Sequence, residues 1–201
     1  NDYKQPFNIT VNTFPTVVEM TIDGKVLETG KDFVVSPISG SCKGEYIPFW
    51  IDSTNFPKVI DDLKSMRMNG TTAFIMDKKG ITNKDTLALF NELKYYLSTL
   101  GPVVTIEEEK FTWSVGHQEA PNAIVAVLRK YISKSIEKLT FKIENKLEEN
   151  YELANVIGVI EGKCKKKNIV ISSHYDHLGM MGQQTYFPGA NDNGSGTAMF
   201  L

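Results

Sequence analysis

The sequence predicts an α/β protein, and three observations predict it. Residues 72–106 read as strand, turn, helix, strand. Residues 7–35 alternate apolar and polar in short runs, as half-buried strands do. From Leu139 the texture returns to strands, ending in the nearly continuous apolar run Asn168–Ser172.

Taken in order, the first strands are broken at Pro15, Gly24 and Gly30, residues suited to turns. A helix follows. Pro57 suits its first turn, Val59, Ile60, Leu63 and Met66 share one face, and Gly70 suits its stop. Thr72–Met76 is a short apolar strand and 77–80 a turn. Thr82 or Asn83 can cap the next helix, with Leu87, Phe90, Leu93, Leu97 and Leu100 facing inward. Gly101 and Pro102 end that helix before a strand over 103–106. Strand, helix, strand at this length implies a parallel pair with a right-handed crossover. The spacing of Ile124, Val127, Leu128 and Tyr131 predicts a further helix over 121–132. Leu139–Ile143 and Asn155–Ile160 are candidate strands, and the β-branched run 168–172 has the pattern of a strand buried on both faces. The lysines at 163 and 165–167 read as a solvated hairpin turn between strands.

Composition is that of an ordinary globular chain. The 201 residues are 41% apolar, with 22 basic and 24 acidic side chains and a formal charge of −2. No basic stripe recommends a nucleic acid, and no apolar run is long enough to span a membrane. Cys42 and Cys164 are too few for a disulfide scaffold or a cysteine-based zinc site. The chain opens without methionine and stops at Leu201 inside a helix that has just begun, which reads as a trimmed sequence. Asn8, Asn69 and Asn193 open glycosylation sequons, which would mean nothing if the protein were bacterial.

Two clusters carry chemistry. The first is Ser173-His174-Tyr175-Asp176-His177, directly after the apolar run. In extended chain, residues two apart point to one side, so His174 and Asp176 can project together. Imidazole is a common zinc ligand, and a neighbouring carboxylate can orient it. The second is the glycine-rich stretch 189–197, where Asp192 precedes a helix start. It lacks the lysine of a phosphate-binding loop, the later acidic ligands of a calcium loop and the spacing of a serine nucleophile elbow. Alone, the first cluster could be a surface ion pair and the second a helix cap. Together, a histidine, a carboxylate two residues on and a second carboxylate in a glycine-rich turn make a specific arrangement.

In this arrangement the sequence resembles the co-catalytic dizinc aminopeptidases, a family that includes secreted bacterial leucyl aminopeptidases, glutamate carboxypeptidase, glutaminyl cyclase and the transferrin receptor. Residues 155–162, 169–179 and 189–198 carry the resemblance. It implies that His174 is a terminal zinc ligand and that Asp192 bridges two zinc ions. It implies that Asp176 is a carboxylate standing behind the site, and that the Asp192–Asn193 peptide is cis. His177 matches a frequent variant and takes no metal. The glutamate base, two acidic ligands and a final histidine would follow Leu201, so the intact parent would be the enzyme and this stretch alone inactive. Peptides would be its substrates, and the compartment the periplasm or the exterior.

The first part resembles, more distantly, the protease-associated domain inserted into such peptidases. The expected organisation is a lead-in strand over 1–14, a protease-associated-like α/β domain over 15–135, and the first part of a zinc-exopeptidase α/β sheet over 136–201. A non-catalytic binding module, or a receptor-like or cyclase-like relative, is the alternative.

Overall fold

The computed structural model describes residues 3–65, 70–163 and 166–199. Met66, Asn69, Cys164, Lys165 and Leu201, which the sequence reading used, lie outside the described residues.

The chain is mixed α/β, as its sequence predicts. Eight strands form one sheet: β1 (Lys4–Thr13) lies outside it, and β2 (Val18–Ile22), β3 (Lys25–Val26), β4 (Phe33–Val35), β5 (Cys42–Ile51), β6 (Thr72–Met76), β7 (Val103–Glu107), β8 (Ile124–Leu128) and β9 (Leu139–Ile143) lie within. The order is β3-β2-β9-β5-β6-β7-β8-β4. β5, β6, β7 and β8 run parallel, and the remaining pairs are antiparallel. Two helices, α1 (Phe56–Ser65) and α2 (Lys84–Ser98), make the β5–β6 and β6–β7 crossovers.

The period-two alternation of β6 decides the layers. Phe74 and Met76 join Val59, Leu63, Phe90, Leu93 and Leu97 under the helices. Ile75 points the other way, into a second core with Phe33, Val104, Val125 and Phe141. Asn83 caps α2 by accepting from the Thr86 N–H at 3.0 Å. The Arg129 guanidinium grips Asp77 through two bonds of 2.9 and 2.7 Å and reaches Glu108 at 2.7 Å, fastening the edge of the parallel strands. That pairing holds the Asp77 carboxyl below its ordinary range.

The predicted helix over 121–132 is instead β8, followed by one 3-10 turn at Arg129–Tyr131. Its apolar spacing fits both periods. Ile124, Val125 and Val127 are β-branched and 0–1% exposed, and β7 offers them a parallel ladder, so the strand wins. The predicted strand 155–160 is regular only to Val156. The apolar run 168–172 is not a buried strand. It has no regular structure, and Ile169, Val170 and Ile171 are 94%, 84% and 73% exposed. Among the described residues no strand pairs with it and no layer covers it, and an apolar run without both stays open. The lysine segment is likewise not flanked by described strands.

β1 pairs with β10 (Lys146–Val156) in a separate antiparallel ribbon. Asn12, 3% exposed, ties the ribbon to the sheet. Its amide donates to the Pro37 and Ser39 carbonyls at 3.0 and 2.8 Å and accepts from Asn145 at 2.7 Å. The sheet draws β9 from beyond residue 135, since β9 pairs with both β2 and β5. A second small ribbon, β11 (Gly179–Met181) and β12 (Thr185–Phe187), packs back on the sheet. Met181 is fully buried among the sheet's core residues, and the Gly182 N–H donates to the Phe14 carbonyl at 2.8 Å.

Candidate metal centre

The residues 173–177 and 189–198 are brought together by short polar side chains. Ser173 Oγ accepts from Asn193 Nδ2 at 2.9 Å and lies 3.1 Å from Thr197 Oγ1. Thr197 Oγ1 also reaches the His174 carbonyl at 3.1 Å. An irregular turn over Ala190–Gly194 leads into a short helix, α3 (Ser195–Ala198), and the Asp192–Asn193 peptide is cis. The glycines here serve close approach. A Cβ on Gly196 would fall 2.2 Å from Asn193 Oδ1, and one on Gly189 would fall 2.7 Å from His177 Cβ.

This packing sets His174 against Asp192, with Nε2 3.2 Å from Oδ1. The other ring nitrogen, Nδ1, is 2.9 Å from the Asp176 backbone carbonyl, which can only accept, so Nδ1 carries the hydrogen. The Asp176 carboxylate is farther off, at 3.5 Å. The ring is thus steered first by the residue's carbonyl and second by its side chain. The Asp176 carbonyl, with the Asp192 and Asp176 charges, holds the His174 imidazole above its ordinary range, against a smaller opposing effect of burial. Both side chains are solvent-accessible, at 53% for His174 and 72% for Asp192.

His177 also faces Asp192, with Nε2 4.0 Å from Oδ2, and its Nδ1 is 2.9 Å from the Phe187 carbonyl. The sequence places His177 in the first cluster and assigns it no metal, and its approach to Asp192 is a finding of the structure. The sign available was the Gly182-Gln183-Gln184 break between two short apolar runs, a hairpin signal that brings Phe187 back to His177. His117, the third histidine, lies elsewhere and bonds the Thr10 carbonyl at 2.7 Å. Among the described residues no group of three or more His, Cys, Asp or Glu side chains could hold a metal ion. What the chain brings together is a pair of facing donors with a second imidazole at its flank.

The chain is similar in structure to the aminopeptidase from Aneurinibacillus sp. strain AM-1, with a TM-score of 0.59 and 18% identity. The likeness covers 97% of this chain and 46% of that one, so the chain spans less than half the length of that aminopeptidase. No curated protein sequence matches the chain. Residues 155–201, the segment carrying His174 and Asp192, match the model of peptidase family M28.

Proposed function

We propose that this chain is the N-terminal part of a zinc-dependent aminopeptidase that hydrolyses N-terminal peptide bonds. His174 and Asp192 would be zinc ligands, and Asp176 would stand behind His174. One observation carries the reading: His174 Nε2 faces Asp192 Oδ1 across 3.2 Å. With its hydrogen on Nδ1, the ring presents a lone pair to a carboxylate oxygen. Two electron-rich atoms so placed need a proton or a cation between them. Two ligands each about 2.0–2.1 Å from a tetrahedral zinc ion lie about 3.3 Å apart, so the donor set fits. The set is incomplete, because catalytic zinc takes three protein ligands and keeps one open position.

Zinc supplies a water of lowered pKa and a polarised scissile carbonyl when it is bound. The chain's own residues do the holding. The Asp176 carbonyl fixes the His174 tautomer. Ser173, Asn193 and Thr197 fix the distance between the segment 173–177 and the turn. Asp192 would offer its carboxylate to the metal beside His174. The remaining ligands and the glutamate base would come from further residues of the natural protein. The coverage of only 46% of the similar aminopeptidase supports this, as does the uncovered run Ile169–Ile171. The eight-stranded unit is read as a protease-associated-like insert. No described helix is long and apolar enough to cross a membrane, and export to the periplasm or exterior is proposed from the M28 resemblance.

The test is zinc content and hydrolysis of fluorogenic aminoacyl amides. The natural full-length protein should turn over substrate, lose activity to a chelator and regain it with zinc. His174→Ala and Asp192→Ala should each lower activity by at least about a hundredfold. The 201-residue chain alone should show no turnover. Chelator-resistant hydrolysis, or D192A activity equal to wild type, would refute the reading.

A further inference from the structure

His177 is held differently from His174. Its side chain is 21% exposed against 53%. Its Nδ1 hydrogen goes to the Phe187 carbonyl, so its Nε2 edge is the one turned to Asp192 Oδ2, 4.0 Å away. Gly189 leaves room for the His177 side chain, since a Cβ on residue 189 would fall 2.7 Å from the His177 Cβ.

Phe187 is itself held by the eight-stranded unit. Its ring stacks on Trp113, with centroids 4.5 Å apart and planes 8° from parallel. Trp113 Nε1 donates to the Val35 carbonyl of β4 at 2.6 Å. Two residues before Phe187, Thr185 Oγ1 donates to the Thr29 carbonyl at 2.8 Å. At the other strand of the hairpin, Met181 is buried in the sheet's core. The contacts are continuous from the sheet to the carboxylate.

We propose that the eight-stranded unit buttresses the metal centre through Trp113, Phe187 and His177, with His177 as a positioning residue that fixes the second oxygen of Asp192. The inference rests on the reading of His174 and Asp192 as metal ligands. At 4.0 Å the His177 contact is longer than a hydrogen bond, so the ring stands as one wall of the space beside Oδ2. Asp192 is 72% exposed, and His177 Nε2 is the polar side-chain atom described beside its Oδ2, so that wall bears on its aim. Groups that orient a metal ligand typically matter about 10–100-fold in metal affinity. The unit is then more than a spacer: removing its aromatic anchor loosens a metal ligand on another part of the chain.

The experiment uses the natural full-length protein. Zinc affinity is measured by competition with a chromophoric chelator, and the visible spectrum is recorded after substitution with cobalt(II). H174A is the reference and should lose zinc by more than about a hundredfold. H177A should weaken zinc by about 10–100-fold and shift the cobalt bands. W113A should weaken it in the same direction by at least about threefold, and W113F, which keeps a stacking ring, should restore it. Should W113A fail to fold, Phe187→Leu removes the stack while keeping an apolar side chain and carries the same comparison. H177A with wild-type affinity and spectrum, beside an H174A that loses zinc, overturns the inference and leaves the metal-centre reading standing. An H174A that holds zinc like wild type removes both. W113A and F187L that lower thermal stability without moving zinc affinity overturn the buttress.

Discussion

Thr72–Met76 and Asn168–Ser172 are alike as text and opposite as structure. Each is a five-residue run of apolar and small side chains. In the first, Ala73, Phe74 and Ile75 are fully buried in the middle of a parallel sheet. In the second, Ile169 is 94% exposed and no ladder forms. The first run has β5 and β7 on its two sides and a core on each face. The second has none of these among the described residues. An apolar run encodes a capacity for burial, and neighbours decide whether it is used.

The sharpest way to break this contrast is to truncate both runs. Phe74→Ala should destabilise the chain by about 3–5 kcal/mol in urea unfolding, the cost of a large cavity. Ile169→Ala should change it by less than about 0.5 kcal/mol, as for an exposed site. Comparable losses would mean that the second run is covered after all.

Asn12→Ala probes the joint between the sheet and the β1–β10 ribbon. It should cost about 1–3 kcal/mol, because the Pro37 and Ser39 carbonyls and the Asn145 amide lose a partner together. Unfolding followed by a probe in the ribbon should move more than one in the sheet. Identical shifts would show that the two unfold as one.

A smaller effect follows pH. The Lys134 ammonium, with the Thr54 hydroxyl, holds the Asp52 carboxyl down at about 2, although burial pushes the other way. A carboxylate whose folded pKa is depressed stabilises the fold above its unfolded value near 3.9. That contribution is lost as pH falls toward about 2. Lys134 is 67% exposed, so solvent screening limits the effect to about 1–2 kcal/mol. Asp52→Asn should flatten the acid side of the stability curve by that amount, and an unchanged slope between about pH 4 and 2 would contradict it. Smallest is the α2 cap: Asn83→Ala should cost about 1 kcal/mol in thermal unfolding, and Asn83→Ser should recover most of it.

The sequence was most legible where one local rule was enough. The strand-helix-strand unit, the Asn83 cap and the 139–143 strand all follow from period, capping chemistry and punctuation over a few residues. The pairing of His174 with Asp192 is implied by the resemblance of the two motifs, and the structure adds the bonds of Ser173, Asn193 and Thr197 that set their approach. Residues 124–128 misled because Ile124, Val127 and Leu128 satisfy a helical stripe as well as a strand. The ladder to β7 broke the tie, and each β7 partner lies 21 residues earlier in sequence, as Val103 does from Ile124.

The amino-acid order by itself determined the alternation of faces in β6, the turn residues and the chemical nature of the facing pair, since each depends on side chains and dihedrals within a few positions. Tertiary structure alone decided which apolar runs became strands, because a strand's hydrogen bonds lie on other strands. It alone brought Phe187 between Trp113 and His177, because that contact needs a sheet, a hairpin and a loop that meet only once the chain has folded.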